Sequence, residues 1–389
     1  MIVKALIIRY TNKFNCRIEW EMYKKIISSL ILIAVCFVVT SAAFSGYFSK
    51  KAFYDKDKTY GDFSAVSMLK GDTQKPYVYR QLLPYSAGLI EDNLPNNIKE
   101  KIKLWITKDR GGVNNNVIYN TYAQAIDSDN PNTIIQYYIL YIFSYISLFL
   151  SVFVLRQISI ELAIDKASAT LAPLIFILLI PYLQTQAAFF YDMSELLFMA
   201  LAVLMTLKKR YFSLIIVVIL ATLNKESFLA FSLTLAPFLV KDLGLKKAAF
   251  LQVLLIVIAA TINFIIKMKY ANNGGGVVEW HFMQQLNALF SISSYIKYDF
   301  VYGVIAPKGY NIFTIIIIVA IVSSSYRFLP EVAKHHLLIA LAINLPLFLL
   351  FCFPGELRNL SFLFISFNVM LCLSINQYLK LALHKTTET

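Results

Sequence analysis

Long apolar runs broken by short polar stretches organise this chain from end to end. Ile26–Phe48, Ile134–Leu155, Ala167–Phe190 and Leu196–Leu207 are the first four. Ala248–Ile266, Ile312–Phe328, Leu337–Phe353 and Ser361–Leu379 come later. A helix needs about 20 apolar residues to cross a hydrocarbon core of about 30 Å, so most of these are long enough to predict membrane helices. Between the two sets the run from Tyr211 to Val240 is interrupted near its centre by Asn224, Lys225, Glu226 and Ser227. One straight helix over that run would reach about 45 Å, too long without a steep tilt. The pattern therefore predicts two short helices, 211–223 and 228–240, forming a hairpin hinged at the polar tetrad. Non-helical backbone at membrane depth has to be buried in protein or line a cavity.

Together these elements predict an all-α polytopic membrane protein with about ten membrane helices. A basic leader, 1–25, precedes a single transmembrane domain, 26–389. That domain includes a long, partly helical loop, 49–131, and a second long loop, 267–311. Within the first loop, Leu94, Ile98, Ile102 and Trp105 share one helical face opposite lysines, the pattern of an amphipathic helix lying on a membrane surface. Prolines 76 and 84 mark turns or a helix start.

Composition sharpens the class. The chain has 389 residues, of which 58% are hydrophobic and only 15% charged, well below the charged quarter usual in soluble domains. The net charge of +13 comes largely from lysines at helix ends, so membrane topology accounts for it without nucleic acid. Lys4, Arg9, Lys13, Arg17, Lys24 and Lys25 precede the first apolar run, with no small-residue cleavage site after it. This predicts a cytoplasmic leader and a retained first helix. Arg156, Lys166 and the Lys208-Lys209-Arg210 cluster then fall inside, and the hairpin leaves a slight majority of the later Lys and Arg inside too. Both termini are expected in the cytoplasm, and loops 49–131 and 267–311 outside it. The four cysteines lie in the leader or in spans and suggest neither a disulfide framework nor a metal pair.

On this topology every polar motif near the membrane gathers on one side. The first loop opens with Asp55, Asp57 and Asp62, followed by Arg80 in an aromatic-aliphatic run. Asp192 and Glu195 begin the fourth span; Lys225 and Glu226 sit at the hinge; Glu356 and Arg358 follow Pro354-Gly355; and His281 follows three glycines. Each has a plainer reading. Loop aspartates are usually solvated, Arg80 can snorkel, and Asp192 and Glu195 can cap a helix N-terminus. Lys225 and Glu226 can neutralise each other, and the three glycines are a weak phosphate-cradle signal. Collectively they place three deep cations, Arg80, Lys225 and Arg358, beside several carboxylates. Such cations suit a phosphate or pyrophosphate at headgroup depth, and a tuned carboxylate can take a proton from a hydroxyl nucleophile. The residues define no metal site.

The chain resembles the GT-C superfamily of membrane glycosyltransferases. The likeness lies in the cytoplasmic N-terminus, the acid-led first loop with its surface helices, and the YRQLLP, DMSE, NKES and GELRN stretches. The resemblance implies transfer of a sugar from a polyprenyl-phosphate donor to a lipid-linked or cell-surface glycan acceptor. The reaction would be inverting, on the extracytoplasmic face of a bacterial cytoplasmic membrane. It implies a first-loop base: Asp62, then Asp57, then Asp55. Arg80, Lys225 and Arg358 would hold the donor phosphate, with Asp192, Glu195, Glu226, Glu356 and His281 as supporting polar groups. A divalent cation is the one cofactor left open, and partners are the lipid-linked sugar, the acceptor and membrane lipid. The rivals are a polymerase of lipid-linked O-antigen or other polysaccharide repeats, and a flippase or transporter of an anionic lipid-linked sugar. The first usually carries its longest loop later in the chain, and the second commonly has paired halves.

Overall fold

The computed structural model describes residues 2–50, 64–108, 115–122, 125–184, 189–276 and 278–387. The chain folds as a mostly helical membrane protein, and six of its helices are long and apolar enough to cross a bilayer. Helix α1 (Ile2–Phe48) extends the expected first span backwards through the basic leader, its apolar part being Met22–Phe48. Four short helices of the first loop follow: α2 (Ala65–Lys70), α3 (Leu82–Asn93), α4 (Asn96–Thr107) and α5 (Val117–Thr121). The central bundle is α6 (Ile134–Glu161), α7 (Lys166–Leu179), α8 (Tyr191–Leu207) and α9 (Tyr211–Asn224). Helix α6 lies along both α7 and α8, and α8 along α9.

Local chemistry sets the ends of these helices. Asp165 precedes α7 and its carboxylate accepts from the amides of Ala167 and Ser168, both at 3.0 Å. These backbone hydrogen bonds hold its pKa below the ordinary carboxylate value, as a good N-cap does. The helical run breaks ahead of residue 190, between the third and fourth spans, and not at the tetrad Asp192–Glu195. The tetrad forms the first turn of α8, where acidic side chains are favoured by the helix dipole.

The hairpin hinged at 224–227 is present. Asn224 closes α9, Lys225 is extended, and the chain turns into α10 (Phe228–Ser232) and α11 (Ala236–Lys269). Asp242 pairs with Lys209 and accepts from the Tyr211 hydroxyl, so the two feet of the hairpin meet. Gly244, at φ 72° and ψ 166°, breaks α11, in a conformation open mainly to glycine. Beyond it the chain runs back alongside itself. Gln252 donates to the Ser232 carbonyl at 3.0 Å and Asn263 to the Glu226 carbonyl at 3.4 Å.

The remaining helices are α12 (Phe282–Phe290), α13 (Ile312–Ser325), α14 (Glu331–Phe351) and α15 (Phe364–Thr387). α15 packs against α7 and α13. A small antiparallel hairpin of β1 (Tyr298–Val301) and β2 (Val304–Pro307) lies in the second long loop, where no strand was expected. Its Asp299 meets Lys50, just past α1, at 3.3 Å and Lys308 at 3.2 Å. Partial burial works against charge on Asp299, but the two lysines and a backbone amide prevail and hold its pKa below the usual value. Helix α4 packs only part of its apolar face against the bundle. Ile106 is buried with Ile134 and Ile135, flanked by Leu94 and Ile102, while Trp105 and Ile98 are exposed. Ile106 lies further round the helix than Trp105 and shifts the packed face toward itself.

The two long loops meet over the end of the bundle. Lys75 N–H donates to the Gly274 carbonyl at 2.8 Å, and the Asn273 side chain donates to the carbonyls of Gly71 and Thr73 at 2.9 and 3.0 Å. Gly275 has φ +81°, and a Cβ there would stand 2.7 Å from the Lys75 carbonyl oxygen. Gly275→Val should therefore loosen this seam at a cost of about 1–3 kcal/mol, read as faster proteolysis between residues 72 and 81. Gly88→Ala, on a helix with open space at that point, serves as the control and should leave the rate unchanged or lower.

Candidate functional site

One end of the hairpin brings the polar motifs together. Asn224 is buried and fixes the hinge against α8: its Oδ1 accepts from Ser194 Oγ at 2.6 Å and its Nδ2 donates to the Tyr191 carbonyl at 3.1 Å. The hinge thereby sets Lys225 over the first turn of α8. Lys225 Nζ donates to Glu195 Oε2 at 2.7 Å, and the other oxygen of Glu195 accepts from Ser227 at 3.0 Å and Ser361 at 3.3 Å. The neighbouring Glu226 turns the other way and accepts two hydrogen bonds from Arg80, Nη2 to Oε1 at 3.0 Å and Nε to Oε2 at 3.3 Å. Lys225 and Glu226, adjacent in sequence, thus do not neutralise each other. Each takes a partner from a distant segment.

Arg80 lies between two rings, its guanidinium carbon 4.9 Å from the Tyr77 centroid and 4.3 Å from that of Tyr191. Its segment is anchored by Gln81, whose amide donates to the Leu223 carbonyl and whose side chain accepts from Tyr270. Arg358 forms the third cationic corner. It donates to Asp192 Oδ2 at 2.5 Å, stands 3.6 Å from Glu356 and covers the Phe189 ring. The same Asp192 oxygen accepts from the Tyr47 hydroxyl at 3.1 Å and the Phe189 amide at 3.2 Å. Asp192, in the first turn of α8, therefore ties down the residue before the N-cap and also serves as an ion-pair partner.

The GELRN turn is fixed to α14 through Asn344, which donates to the Asn359 carbonyl at 2.9 Å and accepts from the Phe362 amide at 3.1 Å. Glu356 Oε2 accepts from the Asn359 side chain at 2.8 Å. Burial outweighs Arg358 here and pushes the Glu356 pKa above the ordinary glutamate value.

These groups line a chamber of about 630 Å3. Arg80, Glu195, Lys225, Glu226, Glu356 and Arg358 occupy its polar end, while Leu229, Leu233, Ile256, Ala260, Leu347 and Phe351 form apolar walls. A second chamber of about 1130 Å3 adjoins it, sharing Tyr77, Glu279, Phe353 and Glu356. Trp280, His281, Tyr298, Lys308 and Tyr310 are among its lining residues. His281 sits here, apart from the three cations. Its ring bonds Gln284 at 2.8 Å and Glu279 at 3.3 Å and packs on Phe353, so packing accounts for much of its setting. Asp55, Asp57 and Asp62 lie outside the described residues.

Ser227 and Asn359 of the NKES and GELRN stretches complete the polar framework, together with Tyr77, Tyr191, Ser361 and Asn344, which were not singled out from sequence. A hydroxyl or amide in an apolar run is a common event, and only the fold shows which ones point inward. Among the described residues, no group of three or more His, Cys, Asp or Glu side chains is arranged to hold a metal ion. Comparison with protein-family models, with curated proteins and with solved structures finds no match.

Proposed function

We propose that the protein is a membrane glycosyltransferase, moving a sugar from a polyprenyl-phosphate donor to a glycan or lipid-linked acceptor on the extracytoplasmic face. About ten membrane helices, two of them the short hairpin pair, and cytoplasmic termini belong to this reading. One observation carries it. A single chamber joins Arg80, Lys225, Arg358 and, further along its wall, Lys267 to apolar residues, and it adjoins a second chamber along an edge that includes Glu279 and Glu356. A phosphate ester with a hydrocarbon tail needs the first combination, and a hydroxyl-bearing acceptor needs the second space.

The charge balance constrains how phosphate binds. Each cation already faces a carboxylate: Arg80 with Glu226, Lys225 with Glu195, Arg358 with Asp192. Of these carboxylates Glu226 is the most open, its side chain 25% exposed. Its bidentate grip on Arg80 has the geometry a phosphate would adopt. On binding, phosphate takes the place of the Glu226 carboxylate on the guanidinium, while Lys225 and Arg358 stay oriented by Glu195 and Asp192. Release of phosphate restores the pair. Asp62, Asp57 and Asp55 are the candidates for the base by resemblance.

The test is sugar analysis of surface glycans and glycolipids from a strain lacking the protein. Loss of one sugar is the expected result. Loss of chain length alone would favour a polymerase, and intact precursor held inside would favour a flippase; either outcome overturns the transferase reading.

A further inference from the structure

Among the four carboxylates of the ion-pair network, Glu195 and Glu356 buried and Asp192 and Glu226 half-buried, Glu356 is the one least committed to a cation. Glu195 receives three hydrogen bonds, one of them from Lys225, Glu226 a bidentate arginine, and Asp192 an arginine, a tyrosine and an amide. Glu356 has one short donor, the neutral Asn359 amide, and its nearest cation is 3.6 Å away. It is 6% exposed, yet it lines both chambers. Arg80, Lys225 and Arg358 face four carboxylates in this network, and Lys267 and Glu279 of the same chamber add one charge of each sign, so one proton more than the fully ionised set brings it to neutrality. A carboxylate with a weak cationic partner takes that proton at least cost.

Accepting the transferase reading, we propose that Glu356 is the catalytic proton acceptor, placed at the junction where an acceptor hydroxyl from the second chamber meets the donor in the first. The hydroxyl oxygen forms a bond to the anomeric carbon as the bond from that carbon to the phosphate oxygen breaks. The bonding pair leaves with the phosphate, toward Arg80, Lys225 and Arg358. The hydroxyl proton passes to Glu356 and is later released to solvent through the second chamber. Asn359 is a positioning residue: its hydrogen bond favours the ionised carboxylate and fixes which oxygen faces the junction. The groups surrounding Glu356 are Arg358 on its own turn, Asp192 of α8, Lys225 of the hinge, Cys352 at the end of α14, Tyr77, and Glu279 with His281.

The experiment compares Glu356→Gln, Glu356→Asp, Asn359→Ala and Asp62→Asn in membrane vesicles from the deletion strain. It reads the rate at which the missing sugar is restored and, separately, the binding of farnesyl phosphate. Glu356→Gln should slow transfer at least a hundredfold while farnesyl phosphate binding stays within about threefold. Glu356→Asp should recover part of the rate. Asn359→Ala should move the acid limb of the pH–rate profile to higher pH, because the carboxylate loses a donor that favours its charged form. Retained binding with an unmoved profile in Asn359→Ala would overturn the proposal, as would near-normal transfer by Glu356→Gln. Loss in Asp62→Asn alone would return the base to the first loop. If deletion of the protein changes no glycan, the transferase reading itself fails and takes this assignment with it.

Discussion

Glu195→Gln should destabilise the protein by about 3–5 kcal/mol, the range expected when one partner of a buried ion pair is removed and the other charge is left behind. The Lys225 and Glu195 side chains are only 11% and 5% exposed, so water reaches neither well. Glutamine keeps the shape and can still accept from Ser227 and Ser361, which isolates the charge as the cause. Lys225→Met in the same background should recover most of the loss, since two apolar or neutral groups of similar size leave no stranded charge. Denaturant unfolding of wild type, Glu195→Gln, Lys225→Met and the double variant in micelles gives the coupling energy directly. A Glu195→Gln protein within 1 kcal/mol of wild type would mean that the pair is hydrated and contributes little.

The same pair shows where sequence stopped short of structure. The hairpin was legible because its signals are local: a run too long for one crossing, a polar tetrad at its centre, basic feet. The gathering of the hinge with Asp192–Glu195, Glu356–Arg358 and Arg80 at one end followed from counting crossings. Partner choice was not legible. Lys225 and Glu226 are neighbours in sequence, but extended backbone at Lys225 sends the two side chains to different segments. Only the packing of α8, α9 and the 76–81 segment decides which carboxylate each cation meets.

The β-hairpin escaped for a related reason. Its turn places Tyr302 at φ 55° and Gly303 at φ 77°, and a tyrosine rarely adopts that conformation. Contacts outside the hairpin hold it there: the Tyr302 hydroxyl donates to the Leu178 carbonyl at 3.0 Å, and Asp299 is held by Lys50 and Lys308. No pattern within the strands themselves encodes those contacts. The second chamber, which this loop helps to build, was hidden along with it.

On the proposed transferase reading, binding of the donor phosphate should depend most on Arg80. Arg80→Ala is expected to weaken farnesyl phosphate binding about 30- to 150-fold, corresponding to about 2–3 kcal/mol for charge-assisted hydrogen bonds. Arg80→Lys should recover little of this, because a point charge cannot reproduce the two-pronged contact or lie flat between Tyr77 and Tyr191. Glu226→Gln separates this account from a purely structural role for the Arg80–Glu226 pair. If the glutamate competes with phosphate for the guanidinium, neutralising it should tighten binding even as it lowers stability. If the pair only holds the 76–81 segment to the hinge, both substitutions should loosen that segment and weaken binding together. Titration with farnesyl phosphate at two salt concentrations measures this, since the competing model also predicts a smaller advantage for Glu226→Gln at high salt, where the exposed edge of the site is screened. Weaker binding by Glu226→Gln at both concentrations would remove the exchange of carboxylate for phosphate from the mechanism.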